Sequence, residues 1–351
     1  MNKFVFGALA FSAGTLCFAN ESEEWPTLDR EIESLASSLS QGGGGVGVSG
    51  FVKSSYASSS DVTVGGNDLG GFSMDNIRVN FDGAVGAFNV HVAAEGASDF
   101  GFGTFGNFGT AAGVGIIDAW TSFNITDQIS ATMGTFRPPF LGDALRDEDE
   151  LLFIDRSTSG DIWAFRDQGL MFSGNFDQLG WWVAAQNGND SAGDDLALSA
   201  RVAFNALGTG VGSVEGAAGA GDESNLTLAA GYYDDANITD GTATCFEADY
   251  TRGALSAAAN IVDYDNGFSG AFGGETPWDL QASYMISPDE WEAALRWDDF
   301  DDSNDTTMVT AGVNKYVEGH NAKWQLNYSA IQSDAGGNEA DVIQIGLTAS
   351  V

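Results

Sequence analysis

The chain has 351 residues, a formal net charge of -37 and 13 Lys plus Arg against 50 Asp plus Glu. A surface so poor in cations cannot replace the counterions of nucleic acid, and nucleic acid is excluded as a partner. Hydrophobic residues make up 43% with 47 Gly and 5 Pro, yet no stretch beyond the N-terminal leader approaches the length of a membrane-spanning helix, so a membrane protein of this composition must cross with strands closed into a barrel.

Asn2 and Lys3, the apolar run Phe4 to Ala10, and Cys17-Phe18-Ala19 before Asn20-Glu21-Ser22 have the order of a secretory signal peptide, expected over residues 1–19. Its removal takes Cys17 away and leaves Cys245 as the one thiol, with no internal disulfide available. Cys245 stands among strand-like residues and reads as a small packing residue. Residues 20–41 are expected to form a short periplasmic coiled-coil segment: Leu28, Ile32, Leu35 and Leu39 make an a/d seam, with Pro26 and Thr27 at its start. A short amphipathic helix lying on its own protein is the alternative for the same spacing. Gly42 to Gly45 form a linker, and residues 46–351 are expected to be the barrel.

From there the period changes to two. In the last segment Ile343, Ile345, Leu347, Ala349 and Val351 alternate with Gln344, Gly346, Thr348 and Ser350. One face is apolar and the other small or polar, as in a barrel wall between lipid and water. The expected fold is all-β, a transmembrane antiparallel β-barrel of about 16 strands with the short N-terminal coiled-coil helix. The links alternate in length. Short ones fall at Asp82 to Ala87, Thr126-Asp127, Asp177 to Gly180, Arg252-Gly253, Pro288-Asp289 and Glu318 to Asn321. Long ones fall between them, at Ala57 to Gly71, Gly96 to Val114 and Pro138 to Phe165 among others. Short periplasmic turns and long external loops put both chain ends in the periplasm. Ala206 to Asn225 is the misfit, a long link on the side of short turns that suggests a register error. A soluble two-sheet sandwich would share the period but not the alternation of link lengths or the apolar outer face.

Several stretches resemble one family. GFSMDNIRVNFDGAVGAFNVHVAAEG (Gly71 to Gly96), IDAWTSFNITDQISATMGTFRPPF (Ile117 to Phe140), LLFIDRS (Leu151 to Ser157), FRDQGLMFSG (Phe165 to Gly174) and TAGVNKYVEGHNAKWQLNYS (Thr310 to Ser329) are similar, in collinear order, to the phosphate- and polyphosphate-selective outer-membrane porins. The resemblance implies a porin of the bacterial outer membrane. It would sit in outer-membrane lipid as a homotrimer and pass ions and small hydrophilic solutes, anions such as phosphate among them. The link from Pro138 to Phe165, third on the external side, resembles the constriction loop that folds into the barrel.

If the apolar face meets lipid, the opposite parity faces the lumen. By that rule Lys53, Arg78, Arg201, Arg296 and Lys323 point inward, and Arg137, Arg146, Arg156 and Arg166 lie in or beside the constriction loop. Only Arg30, Arg252 and Lys315 among the remaining basic residues beyond the leader fall elsewhere. Glu95, Asp118, Glu247, Asp249 and Glu292 also face inward, and Asp143, Asp147, Glu148, Asp149 and Glu150 share the loop with the arginines. Facing rings of opposite charge give a transverse field with modest selectivity, whereas an uncompensated basic ladder concentrates anions. Each Arg has the alternative role of an ion pair that props the loop against the wall.

Acidic runs such as Asp234-Asp235 and Asp298 to Asp302 could hold Ca²⁺ or Mg²⁺ loosely, without the spacing of an EF-hand, and no other cofactor is expected. His91 and His320 are the only histidines. No His-Glu-x-x-His pattern, nucleophile elbow, P-loop or dinucleotide fingerprint is present, so an enzyme is not expected. The competing reading is a structural barrel that tethers the envelope through its N-terminal helix.

Overall fold

A computed structural model describes residues 45–64, 67–98, 114–188, 195–235, 241–265, 268, 274–334 and 339–351. The signal peptide, the heptad seam and the linker up to residue 44 lie outside the described residues. The described chain forms sixteen strands: β1 Gly47–Val64, β2 Asn67–Val85, β3 Phe88–Ser98, β4 Gly115–Asn124, β5 Ile129–Phe136, β6 Asp167–Phe176, β7 Leu179–Gln186, β8 Ala197–Leu207, β9 Asn225–Asp235, β10 Gly241–Arg252, β11 Leu255–Asp265, β12 Trp278–Ser287, β13 Trp291–Asp299, β14 Thr307–Tyr316, β15 Ala322–Gln332 and β16 Ala340–Ser350. Two short helices, α1 Gly142–Leu145 and α2 Thr158–Trp163, interrupt the link between β5 and β6.

Every strand pairs antiparallel with its sequence neighbours. β1 then pairs with β16, from Phe51↔Ser350 to Ser58↔Ile343, and the sheet closes into a barrel. Closure removes both sheet edges, the condition for strands to cross hydrocarbon. Side chains alternate across the wall. On β16 Ile343 and Ile345 are about half exposed toward the outside, whereas Gln344 and Thr348 are buried within. Outward aromatics gather at both rims, Tyr56 with Phe72 and Trp278 with Trp297 at one end, Phe88 with Phe123 and Phe176 with Trp181 at the other. Such girdles mark the two membrane–water interfaces.

Most turns at the end that holds both described termini are short. Each of five bends through a residue in the left-handed region: Gly86, Asp177, Gly253, Asp289 and Gly319. Two links differ from the sequence expectation. Ala57 to Gly71 is no loop, because β1 and β2 stay paired out to Val64↔Asn67 across two register shifts. The long link after β8 is real and hides no register error. β8 and β9 pair from Leu198↔Asp234 to Leu207↔Leu226, with one irregularity between Asn205 and Leu207.

The outward parity yields a direct test. Ile345→Arg places a guanidinium on the lipid face and is expected to lower barrel stability by about 2–4 kcal/mol near the membrane midplane, read by urea unfolding in liposomes.

Candidate pore constriction

The link between β5 and β6, residues 137–166, fills much of the lumen, and its composition explains how a loop can be held there. Its first anchor is apolar. Phe140, Leu141, Ala144 and Trp163 pack against inward-facing Ala197, Tyr233, Ala243, Cys245, Val262 and Tyr264 and against Phe268. Trp163 Nε1 donates to Tyr264 Oη at 2.9 Å, so the indole is buried without an orphaned donor. Cys245 is a packing residue in this cluster, fully buried against the Phe140 carbonyl.

The second anchor is the run Leu151-Leu152-Phe153-Ile154, at most 1% exposed. The wall opposite it is dented by glycine. A Cβ added at Gly312 would stand 3.1 Å from Phe153 Cε1, and one at Gly346 would stand 2.9 Å from Ile154 Cγ1. Buried backbone needs partners, and the inward residues of β13 to β15 and β1 supply them. Lys323 Nζ donates to the Leu151 carbonyl at 2.5 Å, Asn314 Nδ2 and Gln325 Nε2 to that of Leu152 at 2.8 and 3.0 Å, Lys53 Nζ to that of Ile154, and Arg296 to that of Asp155 at 2.9 Å. The Arg296 guanidinium also lies over the Phe153 ring, 4.8 Å from its centroid.

Ion pairs complete the attachment. Arg201 pairs with Glu247, and the two clasp the loop backbone at Phe140 O, 2.8 Å, and Gly142 N, 2.8 Å. Arg146 reaches from the loop to Asp249 at 2.8 Å and Glu215 at 3.3 Å. Arg156 braces the loop from within, pairing with Glu148 at 2.8 Å and donating to the carbonyls of Asp143 and Arg146. Burial pushes the Glu148 carboxyl up, but Arg156, Lys53 and Arg137 together bring it from 4.5 down to about 2. Arg78 pairs with Glu95 at 2.6 Å and reaches across to Asp147 at 2.6 Å. Arg166 faces Asp118 at 3.4 Å, and Arg137 faces Asp147 at 3.4 Å. Glu292 accepts from Ser283, Tyr316 and the Ala217 amide.

The nine basic residues singled out in the sequence are therefore inside the barrel, and each has an acceptor. Six of them, Lys53, Arg146, Arg156, Arg201, Arg296 and Lys323, are occupied in holding the loop. Arg137, with its side chain only 8% exposed, keeps Nε and Nη2 without a hydrogen-bond partner, and Arg166 keeps Nε so. The wall amides Asn314, Gln325 and Gln344, the glycine dents and Glu215 were not singled out. The inward parity of polar residues on β14 to β16 was the available signal for the amides. The acidic run at Asp298 to Asp302 spends its oxygens locally. Asp298 pairs with Arg296 at 2.8 Å, Asp301 accepts from Thr276 N at 2.7 Å, and Asp302 accepts from Thr306 N at 2.8 Å. Among the described residues no group of three or more His, Cys, Asp or Glu is placed to hold a metal ion.

A closed sixteen-strand barrel whose lumen is narrowed by an inward-folded loop is the architecture of an outer-membrane porin. The chain belongs to the family of phosphate-selective porins O and P, whose profile matches residues 57–287, and it is an outer-membrane channel for small solutes. Among solved structures it resembles OprB of Pseudomonas putida, with a TM-score of 0.61 at 11% identity, covering 92% of this chain and 97% of that one. The anion-selective porin from Comamonas acidovorans has a TM-score of 0.57 at 13% identity, covering 88% and 100%. The outer membrane channel DcaP of Acinetobacter baumannii has a TM-score of 0.57 at 14% identity, covering 88% and 97%. At these identities the likeness is one of fold. No curated protein matches in sequence.

Two outcomes follow from the attachment of the loop. Gly346→Val drives a side chain into Ile154 and is expected to destabilise the folded barrel by about 1–3 kcal/mol, measured by urea unfolding. Because Glu148 titrates lower in the folded protein than its ordinary 4.5, its contribution is complete above that pH and is lost as pH falls toward about 2. Single-channel current noise should rise over that window, and less in Glu148→Gln, which lacks the titrating group.

Proposed function

We propose that solutes cross along the wall of β2 to β6, the side of the lumen that the β5–β6 loop does not fill, and that small anions such as phosphate find a foothold there at Arg137 and Arg166. Exposure differs between the two sides of the barrel. Inward residues of β9 to β16 such as Glu247, Asp279, Glu292, Asn314 and Gln325 are buried. On β2 to β4 the side chains of Asp82, His91, Glu95 and Asp118 keep 57%, 19%, 16% and 16% of their surface in water. Solute on this path meets both signs of charge, with Arg78, Arg137 and Arg166 facing Glu95, Asp118 and Asp147.

The observation that carries the anion reading is a set of three buried nitrogens without a hydrogen-bond acceptor, Arg137 Nε and Nη2 and Arg166 Nε, on guanidinium groups whose remaining nitrogens are bound to Leu145 O, Arg146 O, Ala164 O, Asp147 and Asp118. A buried N–H without an acceptor is costly and favours an incoming oxygen or halide. Burial, and then the like charges of Arg166 and Arg156, hold Arg137 down at about 10 against the opposing pull of Asp147 and Glu148. Family and fold point to a channel rather than an enzyme. The proposed assembly is a homotrimer with one passage per protomer, a reading supported by the family membership, and sedimentation in detergent measures it.

Planar-bilayer recording tests the proposal. Reversal potentials under a salt gradient should move toward cation preference in the double variant Arg137→Gln with Arg166→Gln, and millimolar phosphate should reduce chloride current in the natural protein but not in the variant. Identical reversal potentials and no phosphate effect would remove the foothold. Complete absence of conductance from folded protein would remove the channel path and favour the tethering barrel.

A further inference from the structure

The link between β8 and β9, residues 208–224, lies on the side where every other described turn is short, yet it returns into the barrel and meets the constriction loop from beneath. Glu215 is the centre of the contact. Its backbone N donates to Glu150 O at 3.0 Å, and its carboxylate accepts from Leu152 N at 2.8 Å, a reciprocal clamp on both sides of Leu151. The same carboxylate takes Gln281 Nε2 at 3.2 Å from the wall and Arg146 at 3.3 Å from the loop. Ser213 adds a bond from its hydroxyl to Glu150 Oε1, 2.9 Å, and its carbonyl accepts from Arg146 Nε, also 2.9 Å.

Behind this contact the link is fixed to the barrel. Ala217 N donates to Glu292 Oε1 at 2.6 Å, and the Ala217 side chain is buried with Met285 and Tyr316. Gly216 has φ of +88°, and a Cβ there would stand 2.9 Å from the Glu292 carboxylate and 3.0 Å from Leu152 Cδ1. Only glycine suits both the backbone conformation and the space. A solvated surface turn has no need of a buried acid, a left-handed glycine against a wall carboxylate and five bonds to a loop from the opposite end of the barrel.

We propose that residues 208–224 are a periplasmic latch that positions the constriction loop, so that the width and steadiness of the channel are set from the periplasmic side as well as by the loop itself. Glu215 is its positioning residue. It touches no solute-facing group of the Arg137 and Arg166 foothold and acts through the backbone at Glu150 and Leu152.

The test is single-channel recording of full-length protein in planar bilayers, with two variants. In the first, an Asn-Gly turn replaces residues 208–224, a link of the length that joins antiparallel strands directly. In the second, Glu215→Ala removes the clamp and leaves the link in place. Folding of each is read from heat-modifiable gel migration. The shortened variant is expected to raise unit conductance about twofold and to add substates, since a pore's conductance follows its narrowest section. Glu215→Ala is expected to add substates at little change in the main level. Reversal potentials should stay at the natural value in both, which separates the latch from the anion foothold. Folded Glu215→Ala protein with natural step size and no added substates overturns the proposal, whether or not the shortened variant folds.

Discussion

A backbone that crosses hydrocarbon has no water to satisfy its amides, and the rest of this molecule follows from that restriction. Pairing of β1 with β16 leaves no strand edge among the sixteen, and the alternation of side chains then sends apolar groups to lipid and polar groups to the interior. The interior is thus obliged to be polar, and any chain segment placed within it must bring or find hydrogen-bond partners.

The constriction loop meets the same demand in miniature. Its carbonyls at Leu151, Leu152, Ile154 and Asp155 are taken by Lys323, Asn314, Gln325, Lys53 and Arg296, and its apolar side chains are received by Ala294 and the glycine dents of the wall. Cations used in this way are no longer free to attract solute. Buried pairs of this type add little net stability when intact, whereas removing one partner costs about 3–5 kcal/mol because a charge is left alone. Their effect is to specify one loop position.

The electrostatic consequence is a channel whose many basic residues do not make a basic pore. Arg146, Arg156, Arg201 and Arg296 face Asp249, Glu148, Glu247 and Asp298 at hydrogen-bonding range, so each charge is neutralised where it sits. Around Arg137 and Arg166, in a chain of net charge -37, three buried guanidinium nitrogens keep no hydrogen-bond acceptor. On the path proposed for solutes, selectivity would rest on hydrogen-bond vacancy more than on the count of charges.

The alternation of apolar and polar residues along each strand determined the sixteen strands, their inward and outward faces and the side of the short turns, because a period of two in a closed wall leaves no freedom about which side chain meets lipid. The motifs around Phe140 and Leu151 also marked the loop that enters the barrel. What each inward charge touches was decided only by the tertiary structure, since parity places Arg201 or Lys323 in the lumen but says nothing of a loop 61 or 172 residues away in the chain. The same holds for Ala206 to Asn225. Its glycines and alanines read locally as a misplaced turn, and only its approach to Glu150, Leu152 and Glu292 gave Glu215 a partner and the segment a position.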